Sequence, residues 1–252
     1  MEWTDDAFVL AARPHGESAA VVQLLTRCRG RHAGLVRGGA RRRALIEPGN
    51  RVVARWRARL ADHLGAYVLE PVRSNAAEFL DDPERLGALA AVCAVAEGAL
   101  PEREPHPAVF DAMDALLASM AADNVDHGVW PAIYVRWELG LLSELGFGLD
   151  LSQCASTGAS DQLAYVSPRT GRAVSLTAGE PYRDKLLTLP PFLVGGPAPD
   201  RSDIAAGLKL TGHFLARYVF HPMDKPLPPA RDRMIVWLIG REAQQTQDVD
   251  PG

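Results

Sequence analysis

Residues 51–60 alternate strictly. Val52, Ala54, Trp56, Ala58 and Leu60 share one face, while Arg51, Val53, Arg55, Arg57 and Arg59 share the other. Successive side chains of a strand point to opposite sides, so a period of two describes a strand with one face in a core and the other in water. Four more short β-type runs surround it, at 7–12, 18–29, 32–36 and 66–72. The turn signals between them are Pro14 with Gly16, Gly30, Gly38 with Gly39, and Pro48-Gly49-Asn50. Five short strands within the first 76 residues predict a small antiparallel barrel of the OB or SH3-like kind.

After that the period changes. Asp82-Pro83 has the signature of a helix start, an acidic cap followed by proline at the first helical position. Helical spacing continues to residue 98, and two more helices are read over 107–122 and 130–145. Residues 149–176 interrupt the pattern. Residues 163–166 and 173–175 flank the turn Ser167-Pro168-Arg169-Thr170-Gly171 and predict a small β-hairpin. Further helices are expected over 178–187, 200–220 and 228–244, and a disordered tail over 246–252. The fold class is therefore α+β. A barrel domain spans 1–76, and an α-helical domain with the hairpin insertion spans 77–245.

Charge follows the same division. The net charge of the 252 residues is −4. Residues 1–75 carry 13 basic and 7 acidic residues, and the remainder carries 14 and 24. The basic excess is densest over 27–43, which holds Arg27, Arg29, Arg31, Arg37, Arg41, Arg42 and Arg43 with four glycines and no carboxylate. A positive, bendable segment attracts phosphate. The outward strand arginines Arg55, Arg57 and Arg59 extend the same charge onto a sheet face. Since the alternation sends Trp56 into the core, the surface is expected to make mainly phosphate contacts that tolerate any base sequence. Residues 37–43 are read as a free basic loop, and the ten arginines together form the candidate nucleic-acid site.

Other chemistries lack their signatures. There is no phosphate-binding G-x-x-x-x-G-K-[ST], no G-x-S-x-G, no H-E-x-x-H and no C-x-x-C. Glu138 and Glu144, six apart, do not share one helix face well, so no acid–base pair stands out. Three separated cysteines fit a reducing cytoplasm. The longest apolar run, 86–96, is shorter than the ~20 residues of a membrane span. The reading is of a cytoplasmic protein that is not an enzyme. The alternative is a nucleic-acid-processing enzyme whose barrel delivers substrate.

The order of features resembles the RecO family of bacterial DNA repair proteins. The resemblance rests on FVLAARPHGESAAVVQLLTRCRGRHAGLVRGGARRR, with Gly16-Glu17-Ser18, the 26–30 segment and Gly39-Ala40-Arg41-Arg42 in the family's order. It continues through RWELGLLSELGFGLDLSQC at 136–154 and LLTLPPFL at 186–193. It implies an N-terminal OB-fold and a recombination mediator that binds single- and double-stranded DNA and anneals complementary strands. It also implies partners: RecR, the acidic C-terminal tail of the single-strand-binding protein SSB, and indirectly the recombinase RecA. The family docks that tail on its helical domain, where Arg136 and Trp137 are the candidates. Some members bind zinc through four cysteines near the hairpin. Here only Cys154 remains and Thr157 stands where its partner would be, so no metal and no other cofactor is expected. Leu163, Tyr165, Val166 and Val174 are left to hold that zinc-ribbon-like element by packing.

Overall fold

The computed structural model describes residues 1–60, 62–122 and 129–240, with backbone alone at Ala40 and Arg41. Two compact units emerge: Met1–Ala121 with Pro228–Met234, and Ala122–Leu227 with Ile235–Gly252.

The first unit is built on a closed barrel of β1 (Glu2–His15), β2 (Ala19–Thr26), β3 (Gly30–Val36), β4 (Arg51–Arg57) and β5 (Ala66–Arg73). Its strand order is β1-β2-β3-β5-β4, closed by β1 pairing with β4. This is the OB-fold. β1 is 14 residues long and serves two neighbours. Its first half pairs with β4 from Glu2 to Phe8, and its second half pairs with β2 from Ala7 to His15. A register shift between Val9 and Ala11 lets the strand bend from one neighbour to the other. The inward positions follow the alternation: Val22, Leu24, Val52, Ala54, Trp56 and Leu69 are buried in one core.

The alternation of β4 stops earlier than its sequence pattern. The strand ends at Arg57, where its partners Glu2 and Ala66 also run out. Ala58 is half-buried, Leu60 is 52% exposed, and Arg59 lies beyond the strand. The Ala58 amide still donates to the Met1 carbonyl at 3.0 Å and its carbonyl accepts from the Met1 ammonium at 2.7 Å, but β5 offers no partner past Ala66, and period-two patterning cannot carry a strand beyond its pairing on both sides. The 37–43 segment also differs from a free loop. Gly38, in the left-handed conformation at φ 68°, turns the chain out of β3 and into a 3₁₀ helix over Gly39–Leu45.

The barrel carries α1 (Asn75–Glu78), α2 (Pro83–Ala99) and α3 (Pro107–Ala121) in the same unit. Asp82 caps α2 by accepting from the Glu84 and Arg85 amides. Cys93 of α2 donates to the Val9 carbonyl, Phe110 of α3 packs on Phe8, and Asn75 donates to the Gly49 carbonyl. The change from strands to helices lies near residue 76, but the first compact unit runs on to Ala121 because these helices bury their apolar faces with the barrel.

In the second unit, α4 (Val129–Glu144) packs on α6 (Arg201–Phe214). Thr211 of α6 donates to Glu138 of α4, and both residues are buried. Asp200 and Asp203 form a reciprocal capping box that starts α6. The helical turns continue as a π-type segment over Leu215–Phe220. The hairpin forms as β6 (Leu163–Val166) and β7 (Ala173–Ser175), and a third strand, β8 (Leu187–Thr188), pairs with the other edge of β6. That pairing changes the helix read at 178–187. Only Leu176–Gly179 is α-helical (α5), Glu180–Lys185 is 3₁₀, and Leu187 is extended. The last helix is α7 (Pro229–Ile239). The tail read at 246–252 lies outside the described residues.

Candidate nucleic-acid interface

The ten arginines are sorted by what surrounds each. Arg27 makes a two-pronged ion pair with Asp111 of α3, at 2.9 and 3.0 Å. The Asp111 bond raises the pKa of Arg27, and Arg27 in turn lowers that of Asp111. Arg31 has turned inward: its Nε donates to the Leu100 carbonyl at 2.7 Å and its Nη1 to Glu102 at 3.3 Å. Both guanidinium groups therefore have their charge matched within the unit. Sequence reading could not separate them from the rest, because their partners lie about 70 to 84 positions away.

Arg29, Arg37, Arg42, Arg43, Arg55, Arg57 and Arg59 are exposed, and no ion pair engages them among the described residues. The side chain of Arg41 lies outside the described residues. The exposed seven do not make one patch. Arg42 and Arg43 sit on the 3₁₀ helix, whose end is tied to the start of β4 by the Asn50 side chain donating to the Ala44 carbonyl at 2.7 Å. Arg57 is at the other end of that seven-residue strand, a separation of ~20 Å at ~3.3 Å per residue. Arg43 lines a cleft of about 450 Å³ between the 3₁₀ helix and the β1–β2 hairpin, together with Arg13, Glu17 and Glu47. Arg57 lies opposite Glu2, where β1 begins and β4 ends, and Arg29 lines a cleft at that end with Glu2 and Trp3.

Arg55 lies between the two ends. On the outer face it is flanked by Thr4 of β1 and Val68 of β5, and Arg57 by Glu2 and Ala66. Arg51, the first outward residue of β4, pairs with Asp114 at 2.8 Å and Asp6 at 3.8 Å, and lies over the rings of Phe8 and Phe110. It is part of the barrel's packing on α3 rather than of its basic surface.

The chain matches two family models, "Recombination protein O N terminal" over residues 1–74 and "Recombination protein O C terminal" over residues 80–226. It is 58% identical to the DNA repair protein RecO of Rhodospirillum centenum over 255 residues, covering 100% of this chain and 99% of the relative. It is 56% identical to that of Phenylobacterium zucineum, covering 96% and 97%, and 47% identical to that of Methylorubrum extorquens, covering 96% and 100%. The chain belongs to the RecO family.

The helical-domain candidates fare differently from each other. Trp137 is buried at 3% exposure. Arg136 is exposed and fastened, donating to the Phe192 carbonyl at 2.7 Å with its guanidinium over the Phe192 ring. Cys154 is buried and accepts the Ser175 amide at 3.2 Å. Burial pushes its thiol up, but hydrogen bonds from Ser175 and Thr157 outweigh this and hold it below its ordinary value. No group of three potential metal ligands occurs among the described residues. Val166 is buried in the hairpin core, while Leu163, Tyr165 and Val174 are half-buried. Among the described residues no helix is long and apolar enough to cross a membrane.

Proposed function

We propose that this chain acts by binding and not by turnover, as a recombination mediator whose barrel holds DNA through its phosphates. The reading is supported above all by the seven exposed barrel arginines, which have no carboxylate partner among the described residues. Arg55 and Arg57 stand on β4, Arg42 and Arg43 on the 3₁₀ helix, and Arg29, Arg37 and Arg59 on the turns beside them; charges left unmatched there are free to displace counterions from phosphate. Their placement at both ends of β4 suits a flexible strand that tracks along the barrel better than a single-point contact. In line with the family resemblance, the barrel binds single- and double-stranded DNA and brings complementary strands together. With RecR, the protein helps load RecA on DNA covered by SSB. Of the two helical-unit candidates for the SSB tail, Arg136 is the one with exposed atoms, and it meets that tail's carboxylates.

Annealing of complementary labelled strands by the purified protein, with and without SSB, tests this reading. Duplex formation without strand cleavage supports it. Cleavage that copurifies with the protein through further steps moves the assignment to a processing enzyme. Loss of SSB-tail peptide binding on Arg136→Ala supports the assignment of Arg136, and unchanged peptide binding removes that residue from the site.

A further inference from the structure

The end of the barrel where β1 begins and β4 ends has a second feature that phosphate binding leaves unused. Trp3 stacks on Trp56 with ring centroids 5.6 Å apart and planes 19° from parallel. His32 stands edge-on to both, at 5.1 and 5.0 Å. Trp56 is buried and its indole N–H donates to the Leu64 carbonyl at 2.9 Å, so it belongs to the core. Trp3 is only half-buried. These three rings line a cleft of about 270 Å³ with Arg29, Arg103 and Glu2 on its rim. Two guanidinium groups thus face one carboxylate. Arg103 is held in place by donating to the Asp62 and His63 carbonyls at 3.3 and 3.2 Å. Arg29 is exposed on the turn after β2.

A cleft lined by aromatic rings, with the half-buried Trp3 among them, and edged by cations matches a nucleotide better than it matches a bare phosphate or an aliphatic group. Its volume, near the lower end for small-molecule sites, admits one such unit and not a stacked pair. A base inside a duplex has both faces covered by its neighbours and cannot enter. We propose that this cleft takes one unpaired base of a single strand, stacked against the Trp3–Trp56 pair, with the adjoining phosphate on Arg29. This rests on the barrel being a DNA-binding surface, and adds to it a means of telling a single strand from a duplex.

The test compares an oligothymidylate with an abasic strand of the same length and phosphate count, at one salt concentration, binding to the full chain. Wild type should prefer the base-bearing strand by about 5-fold or more, the range that stacking of one base on an aromatic side chain supplies. Trp3→Ala should bring the ratio near one, and Trp3→Phe should keep most of it. Arg29→Ala, at an exposed position, should weaken binding of both strands. Should Trp3→Ala fail to fold, tryptophan emission decides. The base-bearing strand should quench wild type, and most of that quenching should be missing in Trp3→Phe. Equal binding of the two strands by wild type, or quenching unchanged in Trp3→Phe, overturns the cleft while leaving phosphate binding intact. Failure of both strands to bind overturns the DNA-binding reading itself, and the cleft with it.

Discussion

Arg37, Arg42 and Arg43 lie 6 to 16 positions from Arg27 and Arg31 in sequence, yet the two sets should behave oppositely in a salt titration. The first three are exposed and unmatched among the described residues. Arg27 is bound to Asp111, and Arg31 to Leu100 and Glu102. On a single strand, each neutralised phosphate contributes about −0.7 to the slope of log K against log salt. Replacing Arg37, Arg42 and Arg43 with Ala should therefore flatten the slope by about 2. Between 50 and 200 mM salt the gap between wild type and variant should narrow by roughly 20-fold, which is that slope over a fourfold change in salt. The Arg27→Ala, Arg31→Ala double variant should leave the slope nearly unchanged, and should instead lower barrel stability by releasing the contacts to α3 and to residues 100–102. Fluorescence anisotropy with a labelled single strand at four or five salt concentrations reads both. A double variant that flattens the slope as much as the triple variant would refute the sorting of the arginines by their intramolecular partners.

Further outcomes follow from buried groups. Gly30 has φ +70° and its missing Cβ would fall on the Glu104 backbone, so Gly30→Ala should destabilise the barrel by about 2–4 kcal/mol, from left-handed strain plus overpacking. A urea midpoint equal to wild type would show that the Glu104 segment is not held there. His32 is buried, and burial first, then the nearby Arg103, lower its pKa below the ordinary 6.5. A depressed folded value means that this stabilisation is complete above pH 6.5 and is lost as pH falls through the folded value. The acid side of a urea-midpoint profile should therefore be shallower in His32→Gln, and identical profiles would contradict the assignment. Burial pushes the Cys93 thiol up to about 12, while Cys28 is exposed. A thiol reagent at pH 7.5 should label Cys28 first and Cys93 only on unfolding; comparable rates would mean that α2 does not stay packed on β1.

Local periodicity alone determined much of this protein. The alternation at 51–60 placed Val52, Ala54 and Trp56 inside and Arg55 and Arg57 outside, because a strand's side chains take their direction from the backbone whatever lies around them. The five strands, the Asp82 cap and the 163–175 hairpin were legible for the same reason: each is a property of a few consecutive residues. Ends were not. β4 stops at Arg57 because β5 offers no partner past Ala66, which leaves Ala58 bonded to Met1 on one side alone, and Leu187 joins a sheet because β6 has a free edge for it.

The candidate site divided in the same way. That the N-terminal part is basic is a matter of composition, visible at once. Which arginines keep their charge available is not, since Asp111, Leu100 and Glu102 reach Arg27 and Arg31 from elements that come far later in the chain. The cleft at Trp3 was hidden for a related reason. A tryptophan near a strand's start reads as core, and only closure of the barrel, by pairing β1 with β4, sets Trp3 against Trp56 at a mouth edged by Arg29 and Arg103. Sequence decides which way a side chain points along its own element. What meets it there is decided by loops that close over tens of residues, and only the folded chain brings those ends together.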